Sequence, residues 1–138
     1  MSSKAIHIIL KNDIREMSQL LDRIEQFAQE VGLTAAQTYA LKLAVDEAFA
    51  NAISYGYPQG GEHCISIALT KEQNCLSAVL EDDGIPFNPL EVPELDFSLP
   101  IEECSKCGLG IHLMRSFMDT ITYRREGGKN ILTFSKKL

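Results

Sequence analysis

What this sequence lacks narrows its function before any motif is read. No apolar run approaches the roughly twenty residues that a membrane-spanning helix requires. Residues 5–10, which follow Met1-Ser2-Ser3-Lys4, are interrupted by His7 and too short for the core of a signal peptide, so a cytoplasmic location is expected. Basic charge is scarce as well. Thirteen Lys+Arg against nineteen Asp+Glu leave a net charge of −6, with a pI near 5.0. Duplex nucleic acid and anionic membrane surfaces are therefore poor partners, because each calls for a basic face. A small anionic ligand stays open, since a few oriented N–H groups and one metal ion can hold a phosphate chain on an acidic protein. Cys104 and Cys107 form a C-x-x-C with no second pair at finger-like spacing. That half-site leaves two readings, an ordinary loop or a metal site completed by Cys64 and His63. Cys64 and Cys75 themselves fall inside apolar segments and are expected as small core residues with free thiols.

What is present suits a soluble domain. Apolar residues make up 45% of the 138 and charged residues 23%. A chain of this size buries roughly two-thirds of its unfolded surface and needs no disulfide or metal to hold a core. One domain over residues 1–138 is expected.

Residues 5–10 read as a strand with Ile6, Ile8 and Leu10 on one face. Asn12-Asp13 offers a helix cap, with Glu16 in the first turn. Ile14, Met17, Leu20, Leu21, Ile24, Phe27, Ala28 and Val31 recur at helical spacing until Gly32. Thr34 caps a second helix whose Leu41, Ala44, Val45, Ala48, Phe49 and Ala52 make a broad apolar surface, ending in the turn of Gly56, Pro58, Gly60 and Gly61. Residues 64–70 and 75–80 suggest an antiparallel hairpin, and so do 120–125 and 130–136 around Gly127-Gly128. Between them, residues 83–107 hold four of the five prolines and read as a long loop, which in a small domain is usually functional. Gly108-Leu109-Gly110 opens a last helix. The class is α+β: a two-layer arrangement with helices on one face of a mixed, mostly antiparallel sheet.

Three segments carry chemical signals. Glu47 and Asn51 lie one helical turn apart amid Ala, Val and Phe. An amide oxygen beside a carboxylate suits Mg²⁺, which keeps waters and substrate phosphates as its other ligands, and a carboxylate can serve as general base. The alternative is an exposed acidic helix edge. Asp82-Asp83-Gly84 reads either as a plain turn or as a strand-end carboxylate that accepts a ligand amine, with Gly84 admitting a flat ring. Gly108 and Gly110 can turn backbone N–H groups toward an anion at a helix start. They match neither a dinucleotide fingerprint nor a Walker loop.

In combination, and in this order, the segments resemble the Bergerat-fold (GHKL) ATPases, which include histidine-kinase catalytic domains and type II topoisomerases. The closer resemblance is to the small branch of anti-sigma-factor serine/threonine kinases, the RsbW-like proteins. Leu43-Ala44-Val45-Asp46-Glu47-Ala48 through Asn51-Ala52-Ile53 is similar to that branch's N box. Asp82-Asp83-Gly84-Ile85-Pro86-Phe87-Asn88-Pro89 is similar to its first glycine box, and Gly108 through Asp119 to its second. Pro86 departs from the second glycine common in the superfamily; it stiffens the turn and removes one N–H.

The resemblance implies ATP with Mg²⁺ as cofactors, Asn51 as metal holder and Glu47 as general base. It implies Asp82 as acceptor of the adenine amino group with Gly84 beside the ring, and Gly108 and Gly110 against the phosphates. Thr133 falls near the adenine, residues 88–107 form an ATP lid, and Lys106 and Arg115 supply counter-charge. The implied activity is transfer of the γ-phosphate to Ser/Thr of an anti-sigma-factor antagonist of STAS type, with sequestration of a sigma factor, by a homodimer without nucleic-acid or membrane partners. The alternative is a nucleotide-gated binding module without efficient transfer.

Overall fold

The computed structural model describes residues 3–91 and 109–138. The opening strand β1 (Ser3–Lys11) alternates as the sequence predicts, with Ile8 and Leu10 buried and Ile9 exposed. Asp13 then caps a 3-10 turn (Ile14–Glu16), its carboxylate accepting the Arg15 backbone N–H at 2.9 Å. Asn12 does something else: its side chain ties β1 to the distant segment at Gly61 and His63.

Helix α1 (Met17–Val31) buries Leu20, Ile24, Phe27 and Ala28, one stripe at helical spacing. It stops at Gly32, whose φ of 75° is left-handed and whose N–H reaches the Ala28 and Gln29 carbonyls, a closure glycine makes without a Cβ clash. Helix α2 (Ala35–Gly56) starts on a reciprocal cap between Thr34 and Gln37. Its buried face runs from Ala40 through Phe49 to Gly56, against α1, α3 (Leu109–Phe117) and the third strand. Removing Leu41 and Phe49 from water stabilises the fold by roughly 2 kcal/mol each.

The remaining strands are β2 (Cys64–Glu72), β3 (Cys75–Asp82), β4 (Thr120–Glu126) and β5 (Lys129–Lys137), in the order β1-β2-β3-β5-β4. Every pairing among the described residues is antiparallel, with the helices on one side. The β4–β5 turn uses Gly127 and Gly128 at φ 59° and 76°, the positive pair that a two-residue hairpin favours. The even-numbered positions of β3 and β5 face the helices: Leu76, Ala78, Leu80 and Asp82 on one strand, Asn130, Leu132 and Phe134 on the other.

That alternation overturns one expectation. Cys64 and Cys75 are exposed, not core. Each precedes the first inward residue of its strand, Ile65 and Leu76, so the two-residue period turns both thiols away from the helices. No described helix is long and apolar enough to cross a membrane. Cys104 and Cys107 lie outside the described residues, and no cluster of three His, Cys, Asp or Glu suited to a metal exists among the described ones.

Candidate functional site

Where α2 crosses the ends of β3 and β5, a small pocket lies between helix and sheet. Ala48, Asn51 and Ala52 form its helix wall; their small side chains leave room that a leucine stripe would fill. Leu80, Asp82, Tyr123, Asn130 and Leu132 form the sheet wall, and Phe87 and Pro89 close one side. The lining is apolar with a few polar groups among it, the usual character of a small-molecule site.

Two of the predicted residues, Asn51 and Asp82, thus meet at one pocket. The Asn51 Nδ2 is buried without a hydrogen-bond partner among the described residues. A buried donor of this kind costs about 1–3 kcal/mol unless something accepts from it, so its position on the pocket wall points to a ligand. Asp82 is 6% exposed, and its Oδ1 accepts from the Gly84 N–H and from Asn130 Nδ2, each at 2.9 Å. Burial pushes its carboxyl above the usual carboxylate range, against the pull of those two donors.

The neighbouring Asp83 has the opposite fate. It is exposed just past the end of β3, where it accepts from the Tyr57 hydroxyl at 2.9 Å and meets His63 Nδ1 at 3.1 Å. What burial it has raises its pKa, but the bonds from His63 and Tyr57 outweigh this and leave it lowered. Burial first, then the bond to Asp83, raises Tyr57. The end of β3 therefore separates a buried carboxylate on the pocket wall from an exposed one engaged in a surface cluster.

Glu47 sits half-buried one turn before Asn51 and does not line the described pocket. Burial, reinforced by the adjacent Asp46, raises its pKa. Gly84 has a packing reason in addition to any ligand role: a Cβ there would stand 2.5 Å from the Gly56 carbonyl oxygen and 2.7 Å from its Cα. This close crossing lets the Ile85 N–H reach that same carbonyl at 2.8 Å, tying the end of α2 to the strand-end turn.

Thr133 does not join them. It pairs with Val79 and Thr122, an odd-numbered position on the sheet face away from the helices and from Asp82. Gly110 lies in the first turn of α3, while Lys106, Gly108 and residues 92–107 of the expected lid fall outside the described residues. Arg115, expected near phosphate, donates to the Leu90 carbonyl at 2.7 Å.

Sequence reading missed Asn130 and Tyr123. Asn130 is 5% exposed, directly across from Asp82, and a polar residue leading the inward series Asn130-Leu132-Phe134 was the available signal. Tyr123 alternates inward on β4 and donates to Asn130 Oδ1. Stacked rings of Tyr55 and Phe87, 4.6 Å apart, hold the closing segment to α2.

Residues 10–136 match the family described as histidine kinase-like ATPase domain. The serine/threonine-protein kinase BtrW of Bordetella bronchiseptica is 27% identical over 98% of this chain and 95% of its own length. The anti-sigma F factor of Clostridium acetobutylicum is 31% identical over 83% of this chain and 79% of its own. Among solved structures, the RsbU and RsbW domains of a Mycobacterium tuberculosis protein share the fold, with a TM-score of 0.68 at 16% identity. That match covers 98% of this chain, which spans 32% of the longer one.

Proposed function

This chain belongs to the histidine kinase-like ATPase domain family, and from that premise we propose that it is an ATP-dependent serine/threonine kinase of the anti-sigma-factor type. It transfers the γ-phosphate of ATP to Ser or Thr of a small antagonist protein and sequesters a sigma factor. The observation that carries the reading is the pocket where Asn51 and Asp82 converge, with an orphaned amide on one wall and a buried carboxylate on the other. A nucleotide fits this pair. Asp82 accepts the exocyclic amino group of adenine, and the apolar walls take the faces of the ring.

In this reading Asn51 and Glu47 serve the phosphate end of the nucleotide. The Asn51 amide oxygen is a hard donor that fits Mg²⁺, which takes most of its other ligands from water and phosphate. Bound there, the ion would neutralise charge on the phosphates. Glu47 accepts the proton of the attacking hydroxyl as its oxygen bonds to the γ-phosphorus and the bond to the β-phosphate oxygen breaks. Its raised pKa makes it a stronger base than an exposed glutamate. Gly108, Gly110 and Lys106 act on the phosphates from the lid side. A nucleotide-gated module without transfer is not favoured, because a relative covering nearly the whole chain is itself named a kinase. A homodimer in the cytoplasm completes the proposal, on the family resemblance.

The test is transfer of labelled γ-phosphate from ATP to a candidate antagonist, with ATP binding measured in parallel. Glu47→Ala should lose transfer by 10²-fold or more while retaining ATP. Intact transfer in that variant would remove Glu47 from the role of base.

A further inference from the structure

Asn130 is the most fully engaged side chain in the pocket wall. Its Nδ2 donates to Asp82 Oδ1 at 2.9 Å and to the Ile85 carbonyl at 2.8 Å. Its Oδ1 accepts from the Phe87 N–H at 3.2 Å and from the Tyr123 hydroxyl. These partners fix which end of the amide is which: reversed, the oxygen would face the Asp82 carboxylate and the Ile85 carbonyl, acceptor against acceptor. One side chain on β5 therefore joins β3, β4 and the turn that carries Ile85 and Phe87.

The consequence falls on Asp82. A carboxylate at a strand end can rotate, and a rotated carboxylate recognises nothing in particular. Here both hydrogen bonds that Asp82 receives from the described residues, from Gly84 and Asn130, end on the same oxygen. Oδ1 is occupied and Oδ2 is left for a ligand on a pocket that Asp82 lines. We propose that Asn130 is a positioning residue for base recognition: it clamps Asp82 through Oδ1, presents Oδ2 to the pocket and thereby sets the preference for a purine with an exocyclic amino group. The inference rests on the reading of Asp82 as base acceptor and adds to it the residue that makes the acceptor selective. A site built to hydrogen-bond a group rejects an analogue lacking it far more strongly than an unorganised one does.

The test compares ATP with purine riboside triphosphate, which lacks the 6-amino group, by direct binding to the full chain. Wild type should prefer ATP, and Asp82→Asn should collapse the preference. Asn130→Ala should shrink the ATP-to-analogue ratio about tenfold, mostly through ATP, with the analogue bound nearly as before. Asn130→Thr, whose hydroxyl can still donate to Asp82, should recover part of the ratio. Equal loss of both nucleotides in Asn130→Ala, or an unchanged ratio, overturns the positioning role while leaving the Asp82 reading intact if Asp82→Asn still collapses it. An Asp82→Asn variant that keeps the wild-type preference overturns both. If Asn130→Ala does not fold, Tyr123→Phe decides: it loosens the amide from one side only, and a two- to fivefold drop in the ratio supports the clamp, whereas no change overturns it.

Discussion

At the scale of single residues, the carboxylates of this protein are sorted by burial. Asp46, Glu47 and Asp82 all have raised pKa values, with desolvation the largest cause for each. Such a group binds its proton more tightly when folded than when unfolded. Its charged form therefore costs stability at neutral pH, and the cost is relieved as pH falls through the folded-state pKa. An unneeded carboxylate would be expected to move to the surface, so retaining Glu47 half-buried at an expense in stability fits a residue kept for chemistry. Glu47→Gln should then reduce phosphate transfer by 10²- to 10⁴-fold and leave thermal stability at pH 7–8 equal to wild type or higher. That stability difference should vanish below the unfolded glutamate pKa of about 4.3. In the wild type, the acid limb of the transfer rate should lie above the ordinary glutamate range. A melting temperature for Glu47→Gln well below wild type at pH 8 would show that the side chain is structural.

At the scale of elements, the decisive contact is the crossing of two glycines, Gly56 at the end of α2 and Gly84 after β3. Gly84 does not adopt a left-handed φ, so its requirement is steric: the added Cβ of Gly84→Ala would drive the helix end from the strand-end turn. We expect a loss of about 1–3 kcal/mol, read by denaturant unfolding, together with weaker ATP binding, because Ile85 and Phe87 lose their anchorage. Gly127→Ala is the control. Nothing lies within 4 Å of its Cβ, yet its φ of 59° is left-handed, so it should cost about 1 kcal/mol and leave ATP binding unchanged. Equal effects of the two on ATP binding would refute the crossing as the link to the pocket. This contact also marks where sequence reading stops. The periodicities of α1, α2 and both hairpins were legible because each is a local pattern, and so was the one-turn spacing of Glu47 and Asn51 on α2. The Gly56–Gly84 approach and the Asn130–Asp82 pair depend on which segments the fold brings together. For Thr133, and for Cys64 and Cys75, the residue types were suggestive but the face was not: each sits one position from an inward residue.

At the scale of the molecule, the pocket is a joint between layers. Its walls come from α2, β3, β4, β5 and the 87–89 segment, with lining residues as far apart in sequence as Ala48 and Leu132, so the unfolded chain has nothing resembling it. A ligand that binds there binds the folded state alone and must stabilise it by mass action. The net charge of −6 argues that long-range attraction contributes little to capturing a polyanion, so the stabilisation should reflect local contacts. At a hundred times its dissociation constant, ATP should add about 2.7 kcal/mol, a rise in melting temperature of roughly 8–12 °C for a chain of this size. Asn51→Ala should behave in two ways at once. Without ligand it should melt no lower than wild type, because the buried Nδ2 it removes has no partner among the described residues to lose. At the same ATP concentration it should show a smaller shift than wild type, since the contact that the orphaned amide awaits can no longer form. If ATP raised the melting temperature of Asn51→Ala as much as that of the wild type, Asn51 would have no part in holding the nucleotide.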